Sequence, residues 1–318
     1  MSSGGKREEM NAVQHRSIDL CCGGGGATLG AHLADFKSVL AVDMNLNAAK
    51  CYKANFPESI VLPRKMENVS AEEILKRTGL KVGELTHLHC SWPCVEYSVI
   101  NTRVSKNPPA DINRNFKHFL QKIQELQPMV FTGENVDGML VGAKKPHFNE
   151  VVALLKGLEN YDFKFKVMNA AFYGVPQNRR RLILIGKRRD VAPGVEIQFP
   201  KPDYKGAEKL RVKDVLPKVK LFRSGHFANK IISADQLMCT ITGGNNIKVF
   251  DTKWRKLTLA ETKLLMGFPQ DFKMPATAIT TNMKILGNAV CPPMMKAVME
   301  TIKQTILTEK QPSKTKRT

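Results

Sequence analysis

Ser17-Ile18-Asp19-Leu20-Cys21-Cys22-Gly23-Gly24-Gly25-Gly26 is the stretch that decides the fold. Its first four residues read as a short buried strand and its glycines as a tight turn. A helix with Leu29 and Leu33 on one face is expected over 27–36, then a second strand, Val39-Leu40-Ala41-Val42, closed by Asp43. Strand, turn, helix and strand make a βαβ unit, and a run of such units builds a parallel sheet. Asp43 stands twenty residues after Gly23, where an acid meets a ribose diol. The glycines let a ligand approach the backbone at a helix N-terminus. The dinucleotide fingerprint is not met, because its third glycine falls on Thr28 counted from Gly23 and on Leu29 counted from Gly24. NAD and FAD are therefore disfavoured. A cofactor with one nucleoside and a carboxylate, such as S-adenosyl-L-methionine, fits better; the bland alternative is a tight turn without a ligand.

A second block follows at His87-Leu88-His89-Cys90-Ser91-Trp92-Pro93-Cys94. Leu85 and Leu88 mark a buried strand, and Pro93 stops it, having no N–H for a sheet ladder and disfavouring helix in the residue before it. Cys94 then sits in a loop outside the carboxyl end of a strand, where open α/β sheets keep their chemistry. Helices are expected at 45–56, 70–77, 114–127 and 148–158. Met129-Val130-Phe131 is the next strand, and it ends in Gly133-Glu134-Asn135-Val136. In a parallel sheet this polar cluster and Cys94 lie side by side. Phe163 to Val167 alternates like a strand. Gln177-Asn178-Arg179-Arg180-Arg181 leads into Leu182-Ile183-Leu184-Ile185-Gly186, apolar on both faces, and strand alternation puts Arg179 and Arg181 on one side.

The 318 residues carry 49 Lys and Arg against 29 Asp and Glu, a formal charge of +20. That excess suits a polyanion, nucleic acid before an anionic membrane, since no apolar-and-basic amphipathic helix is evident. No apolar run reaches the length of a membrane span, and the polar N-terminus does not read as a signal peptide. Seven cysteines without regular spacing point to a reduced, intracellular setting: cytoplasm in a bacterium, nucleus in a eukaryote. Residues 187–230 hold twelve Lys or Arg against five Asp or Glu, interleaved with Phe199, Tyr204, Phe222, His226 and Phe227 and broken by four prolines. This reads as a small, basic, loop-rich region.

Taken together, the ordered set resembles the C5-type DNA cytosine methyltransferases. The matching stretches are Asp19-Leu20 with Gly23, Gly25, Gly26 and Gly30; Pro93-Cys94 with Ser98; Glu134-Asn135-Val136; Gln177, Arg179 and Arg181; Arg255, Leu257, Thr258 and Glu261 with Gly267-Phe268-Pro269; and Gly287-Asn288-Ala289-Val290 with Pro292. They stand in the family's order and span nearly the whole chain. The resemblance implies an α/β fold: a Rossmann-like, mostly parallel sheet with helices on both faces, plus a small, loop-rich target-recognition domain. The expected division is a flexible N-terminus (1–16), a catalytic and cofactor-binding domain (17–186), the recognition region (187–250), a return to the catalytic domain (251–308) and a basic, disordered tail (309–318).

Cytosine C5 is a poor nucleophile and takes no methyl group unaided. A thiolate adding to C6 turns the ring into an enamine, and Cys94 is the expected nucleophile. Charge then builds at N3 and O2, where Glu134, held protonated in a desolvated site, donates to N3. By resemblance Arg181 contacts the O2 side, Asn135 positions the Pro93-Cys94 turn, and Arg179 supports the arrangement on the DNA side. The cofactor, S-adenosyl-L-methionine, is expected to have Gly23, Gly24 and Gly26 around its methionine part, Asp43 on the ribose, Met44 on the adenine, and Asn288 and Val290 at the far wall. Asp19 and Pro93 complete that set. Ser98 and Arg103, on the loop expected to close over a flipped base, and Thr240 join Arg179 as DNA contacts. The partner is double-stranded DNA and the protein a monomer.

This chain departs from the family pattern at Cys21, where an aromatic is usual, at Cys90, Ser91 and Trp92 in place of glycines, and at Val95 in place of glutamine. Glu67 is the nearest candidate for the family's third cofactor acid and is not assigned. A zinc site at His87, His89, Cys90 and Cys94 is disfavoured, because a strand turns the histidines to one face and Cys90 to the other. No metal is expected. A tRNA cytosine methyltransferase would carry a late Cys-Phe-Thr, absent between 187 and 254. A catalytically dead DNA-binding relative sits poorly with Cys94, Glu134 and Arg181 all present.

Overall fold

The computed structural model describes residues 14–92, 113–223, 230–244 and 247–308. Pro93, Cys94, Ser98 and Arg103 lie outside the described residues. The chain runs β1 (His15–Leu20), α1 (Gly26–His32), β2 (Phe36–Val42), α2 (Leu46–Asn55), β3 (Ile60–Leu62), α3 (Ala71–Thr78) and β4 (His87–Cys90). Then come α4 (Arg114–Leu126), β5 (Val130–Val136), α5 (Lys145–Lys156), β6 (Tyr161–Asn169) and β7 (Arg180–Arg188). Among the described residues these strands form one seven-stranded sheet in the order β3-β2-β1-β4-β5-β7-β6. The first five are parallel, and β7 runs antiparallel to β5 and β6. Chain order reverses between β1 and β4, the point at which open α/β sheets bind ligands.

Local signals set the helix starts. Asn45 caps α2 by accepting the Asn47 and Ala48 N–H groups, and Ser70 caps α3 by accepting that of Glu73. The central strands β1, β4 and β5 are buried on both faces, whereas β6 at the edge alternates exposed and covered residues. Leu88, Phe131 and Leu184 pack one face against Ile74, Phe119 and Val151. Val130, Ile183 and Ile185 pack the other with Ala31, Met294 and Val298. Two of the boundaries that differ from expectation bear on the site. Helix α1 stops at His32, four residues early, because Asp35 adopts a left-handed conformation (φ 68°) and Phe36 opens β2. Strand β5 continues through Glu134-Asn135-Val136, since β7 supplies a partner for each.

The basic region has a core of its own. After α6 (Tyr204–Lys209) and α7 (Val212–Val215), strands β8 (Leu221–Arg223), β9 (Ile231–Ser233), β10 (Lys248–Phe250) and β11 (Trp254–Lys256) form an antiparallel sheet, order β11-β10-β8-β9, around the buried Phe222 and Val249. Because β11 lies past residue 250, the chain leaves this sheet at Lys256, not at the expected 251. It returns through α8 (Leu259–Met266), whose cap Thr258 exchanges hydrogen bonds with Glu261, and ends in α9 (Ile279–Asn288) and α10 (Pro292–Thr305).

Candidate active site

The carboxyl ends of β1, β4 and β5 lie side by side, with Leu20 opposite Cys90 and Cys90 opposite Gly133. Glu134 and Arg181 meet there. Their strands are antiparallel, Glu134 facing Ile183, so Arg181 two residues earlier lies diagonally on the same face. Arg181 Nε stands 2.8 Å from Glu134 Oε1, with both side chains about nine-tenths buried. Glu134 is thus held in an ion pair and not alone in a desolvated pocket.

Asn135, fully buried, donates from Nδ2 to the Trp92 carbonyl at 3.3 Å, gripping the chain one residue before Pro93. The Trp92 ring lies over Gly133: a Cβ there would come within 2.6 Å of Cζ3, so only glycine admits the indole. Trp92 also meets Phe116 edge to face at 4.9 Å. An indole in a position expected to hold glycine is therefore matched by a glycine on the neighbouring strand.

Around the switch point, the Gly23 N–H donates to Asp43 Oδ2 (2.8 Å) and the Asn45 N–H to Oδ1 (2.7 Å). Burial raises the Asp43 carboxyl above its ordinary range, and these two N–H groups oppose the shift. Asp19 is buried outright. Desolvation pushes its pKa up to about 8 against the hydrogen bond from the Thr28 hydroxyl at 2.8 Å, and Oδ1 has no partner among the described residues. Met44 is 66 % exposed, an unusual setting for a thioether with nothing to cover. A Cβ on Gly23 would meet no described atom within 4 Å. The expectation for Gly24 and Gly26 needs amending. Their Cβ positions are filled by Ile285 Cγ2 (2.5 Å) and the Val290 carbonyl (2.3 Å), so these two glycines admit the returning chain. Val290 is buried and Asn288 exposed. Glu67 is turned to α4, with Oε2 3.2 Å from Arg114 and 3.4 Å from His118.

A ligand with a cationic amino group, a diol and a flat base gives Asp19, Asp43 and Met44 a partner each, and S-adenosylmethionine fits that description.

Arg179 overturns its expectation as a DNA contact. It is 1 % exposed, and its guanidinium donates to the carbonyls of Ile241 (2.7 Å), Gly287 (3.1 Å) and Ala289 (2.7 Å). Gln177, which motif reading left without a role, is fully buried; it accepts the Ile241 N–H and donates to the Leu265 carbonyl, both at 2.9 Å. The two residues fasten the return segments to the head of β7. Thr240 donates its hydroxyl to the Asn178 carbonyl at 2.8 Å. Beside it a cleft of about 660 Å³ opens between the sheets, lined by Phe172, Asn178, Tyr204, Arg211 and Lys230.

His87 and His89 spend their ring nitrogens on the hydroxyls of Ser17, Thr132 and Ser91. Among the described residues no three His, Cys, Asp or Glu stand together as metal ligands. Nor is any described helix long and apolar enough to cross a membrane.

A parallel sheet closed by a reversed β7, carrying a glycine turn at its switch point, is the S-adenosylmethionine-dependent methyltransferase fold. The model of the C-5 cytosine-specific DNA methylases matches residues 15–250 and 238–304, and the chain belongs to that family. Its activity class is DNA cytosine-C5 methyltransferase, and the family implies S-adenosylmethionine as methyl donor. The type II methyltransferase M.BsuFI of Bacillus subtilis is 29 % identical over 314 residues, covering 91 % of this chain and 73 % of that one. M.XorII of Xanthomonas oryzae pv. oryzae is 35 % identical over 175 residues, 54 % of this chain and 40 % of its own. A crystal structure of a Spodoptera frugiperda DNMT2 mutant shares the fold, with a TM-score of 0.64 at 19 % identity over 91 % of this chain and 99 % of that one.

Proposed function

We propose that the chain methylates C5 of a cytosine flipped out of double-stranded DNA through a covalent bond between Cys94 and C6. The observation that most supports this is the buried Glu134–Arg181 pair, one strand over from the Trp92 carbonyl that Asn135 grips just before Pro93-Cys94. When bound, S-adenosylmethionine supplies an electrophilic methyl group.

The chain's own residues do the rest. The Cys94 sulfur forms a bond to C6, and the electron pair of the C5–C6 double bond moves into the ring toward N3 and O2. Glu134, which takes up a proton from solvent as the base binds, donates it to N3 and is left as the carboxylate that Arg181 pairs, and Arg181, beside the O2 edge, offsets the charge. The ring so loaded is nucleophilic at C5, which takes the methyl group. Loss of the C5 proton to a base expels the Cys94 thiolate and restores the C5–C6 double bond, and the N3 proton returns to Glu134. Asp19, Gly23, Asp43 and Met44 hold the methyl donor, with the backbone around Gly24, Gly26, Asn288 and Val290 as its walls. Removing the target base from the stack costs a few kcal/mol, offset by contacts to the DNA backbone. Residues 187–256, with Thr240 at the seam, form the recognition lobe, Ser98 and Arg103 complete the DNA contacts, and the enzyme acts as an intracellular monomer.

The test is transfer of labelled methyl from S-adenosylmethionine to duplex DNA and, separately, to tRNA. Duplex DNA is expected to be labelled by the wild type and not by Cys94→Ala, and an oligonucleotide carrying 5-fluorocytosine is expected to stay bonded to the wild type. Label in tRNA alone, or tight DNA binding without transfer, refutes the proposal.

A further inference from the structure

Directly beneath this site a row of polar side chains crosses three strands whose interiors are otherwise apolar. Ser17 Oγ lies 2.8 Å from His87 Nδ1, and His87 Nε2 lies 2.8 Å from Thr132 Oγ1. The same hydroxyl is 2.7 Å from His89 Nδ1, and His89 Nε2 is 3.0 Å from Ser91 Oγ. Ser17, His87, Thr132 and His89 are buried; Ser91, at the exit of β4, is half-exposed. The row is therefore closed at one end and reaches the surface at the other.

Its position is specific. Strand periodicity places Ser17 two residues below Asp19, Thr132 two below Glu134, and His89 two below Ser91, all on one face. The register confirms it, with Asp19 opposite His89 and His89 opposite Thr132. Each strand that lifts a group into the site is thus tied to its neighbour one side chain lower.

Burial pushes both imidazoles well below their ordinary range, His89 to about 3, and holds the rings neutral at physiological pH. A neutral imidazole has one N–H and one bare nitrogen, and a hydroxyl has one hydrogen to give. Three of the four tautomer pairs then satisfy all four bonds. Every donor can point from Ser17 toward Ser91, with Nε2–H on both rings; every donor can point back, with Nδ1–H on both; or Thr132 can accept twice, from His87 Nε2–H and His89 Nδ1–H. The fourth pair, His87 Nδ1–H with His89 Nε2–H, would need two hydrogens from the Thr132 hydroxyl. The Ser91 hydrogen is free to donate at the site when His89 carries Nε2–H, and its oxygen is free to accept when His89 carries Nδ1–H.

We propose that Ser17-His87-Thr132-His89-Ser91 is a positioning relay that sets the heights of β1, β4 and β5 against one another and fixes the sense of the Ser91 hydroxyl. It rests on the methyl-transfer reading above, and it holds no net proton, so it orients and does not act as a base. A satisfied buried network of this kind rigidifies, while a broken one is costly, and a misplacement of about 1 Å at a reacting group costs on the order of a hundredfold in rate.

Two measurements test it. Long-range proton–nitrogen correlation spectra of histidine-labelled protein at pH 7 are expected to show both rings neutral, with His87 carrying Nε2–H or His89 carrying Nδ1–H; His87 Nδ1–H together with His89 Nε2–H, which Thr132 cannot serve, or a charged ring, overturns the relay. Thr132→Val keeps the shape and removes the shared hydroxyl, whereas Thr132→Ser keeps the hydroxyl. The valine variant is expected to lose about tenfold or more in kcat with KM for cofactor and DNA nearly unchanged, and the serine variant to recover most of it. Wild-type kcat in the valine variant, or a serine variant no better than valine, overturns the proposal. If the valine variant does not fold, Ser91→Ala decides by the same split, with unchanged kcat overturning it. Failure of the wild type to transfer methyl groups refutes the functional reading alone, because the tautomer measurement does not depend on turnover.

Discussion

Replacing Arg179 by methionine separates two roles that look alike in sequence. In the structure the guanidinium is buried against the carbonyls of Ile241, Gly287 and Ala289. A hydrogen bond from a charged donor contributes about 1.5–3 kcal/mol, and the three share one group, so their sum is not additive. Methionine fills most of the volume and leaves three carbonyls to find water. The expected loss is about 3–5 kcal/mol, the usual cost of breaking a buried ionic or hydrogen-bonded network. With an unfolding entropy of about 2.1 cal/mol/K per residue, that lowers the melting temperature by about 5–8 °C. Urea and thermal unfolding of both proteins measure it. DNA binding across a salt series supplies the second reading: a phosphate contact, once removed, reduces the slope of log K against log salt by about 1. The clamp predicts a folding loss and an unchanged slope. A variant as stable as wild type with a shallower slope would refute the reasoning and return Arg179 to the DNA surface.

Gly133→Ala puts a methyl group well inside the van der Waals distance of the Trp92 ring, and overpacking of that kind costs about 1–3 kcal/mol; a shifted tryptophan emission with a lower urea midpoint is expected, and an unchanged emission and midpoint would refute the packing described. Stability is expected to fall on acidification between about pH 6.5 and 5. The unfolded imidazole of His89 takes its proton near 6.5 and the folded one near 3, so the unfolded state binds more protons in that window. Asp19, raised by burial to about 8, acts in the opposite sense, but His87 shifts with His89 and two rings outweigh one acid. The two effects cancel near pH 6.5, and the net slope grows to about 1.3 kcal/mol per pH unit by about pH 5; a flat urea-unfolding profile between about pH 6 and 5 refutes it. Met44→Ala is expected to leave stability within about 0.5 kcal/mol and to weaken S-adenosylmethionine about tenfold by titration calorimetry; unchanged affinity removes Met44 from the cofactor site.

The order of chemistry-bearing motifs was legible because each falls where a strand ends, and the βαβ opening because its glycines and acid are local signals. The partners of those motifs were not. Glu134-Asn135 reads as the end of a strand because neither residue favours one, yet β7 pairs both. Arginines at the head of a strand give no sign of whether they face solvent or three carbonyls more than sixty residues away. The same holds for Gly24 and Gly26, whose neighbours come from the far end of the chain. His87 and His89 were read correctly as sharing a face, but hydroxyls on β1 and β5 give them their surroundings. The small antiparallel sheet escaped notice because its strands, three residues each, are too short to show a period.

The reversal of β7 has an arithmetical consequence. Since the acid sits near the end of one strand and its arginine near the start of the next in space, the excursion between 136 and 180 can lengthen or shrink among descendants without parting them. A slip of one residue in the pairing is another matter, for it would carry Arg181 and Ile183 through the sheet to the opposite face and set Leu182 or Leu184 against Glu134. Parity, then, is what selection must guard along this edge, and loop length is free to drift.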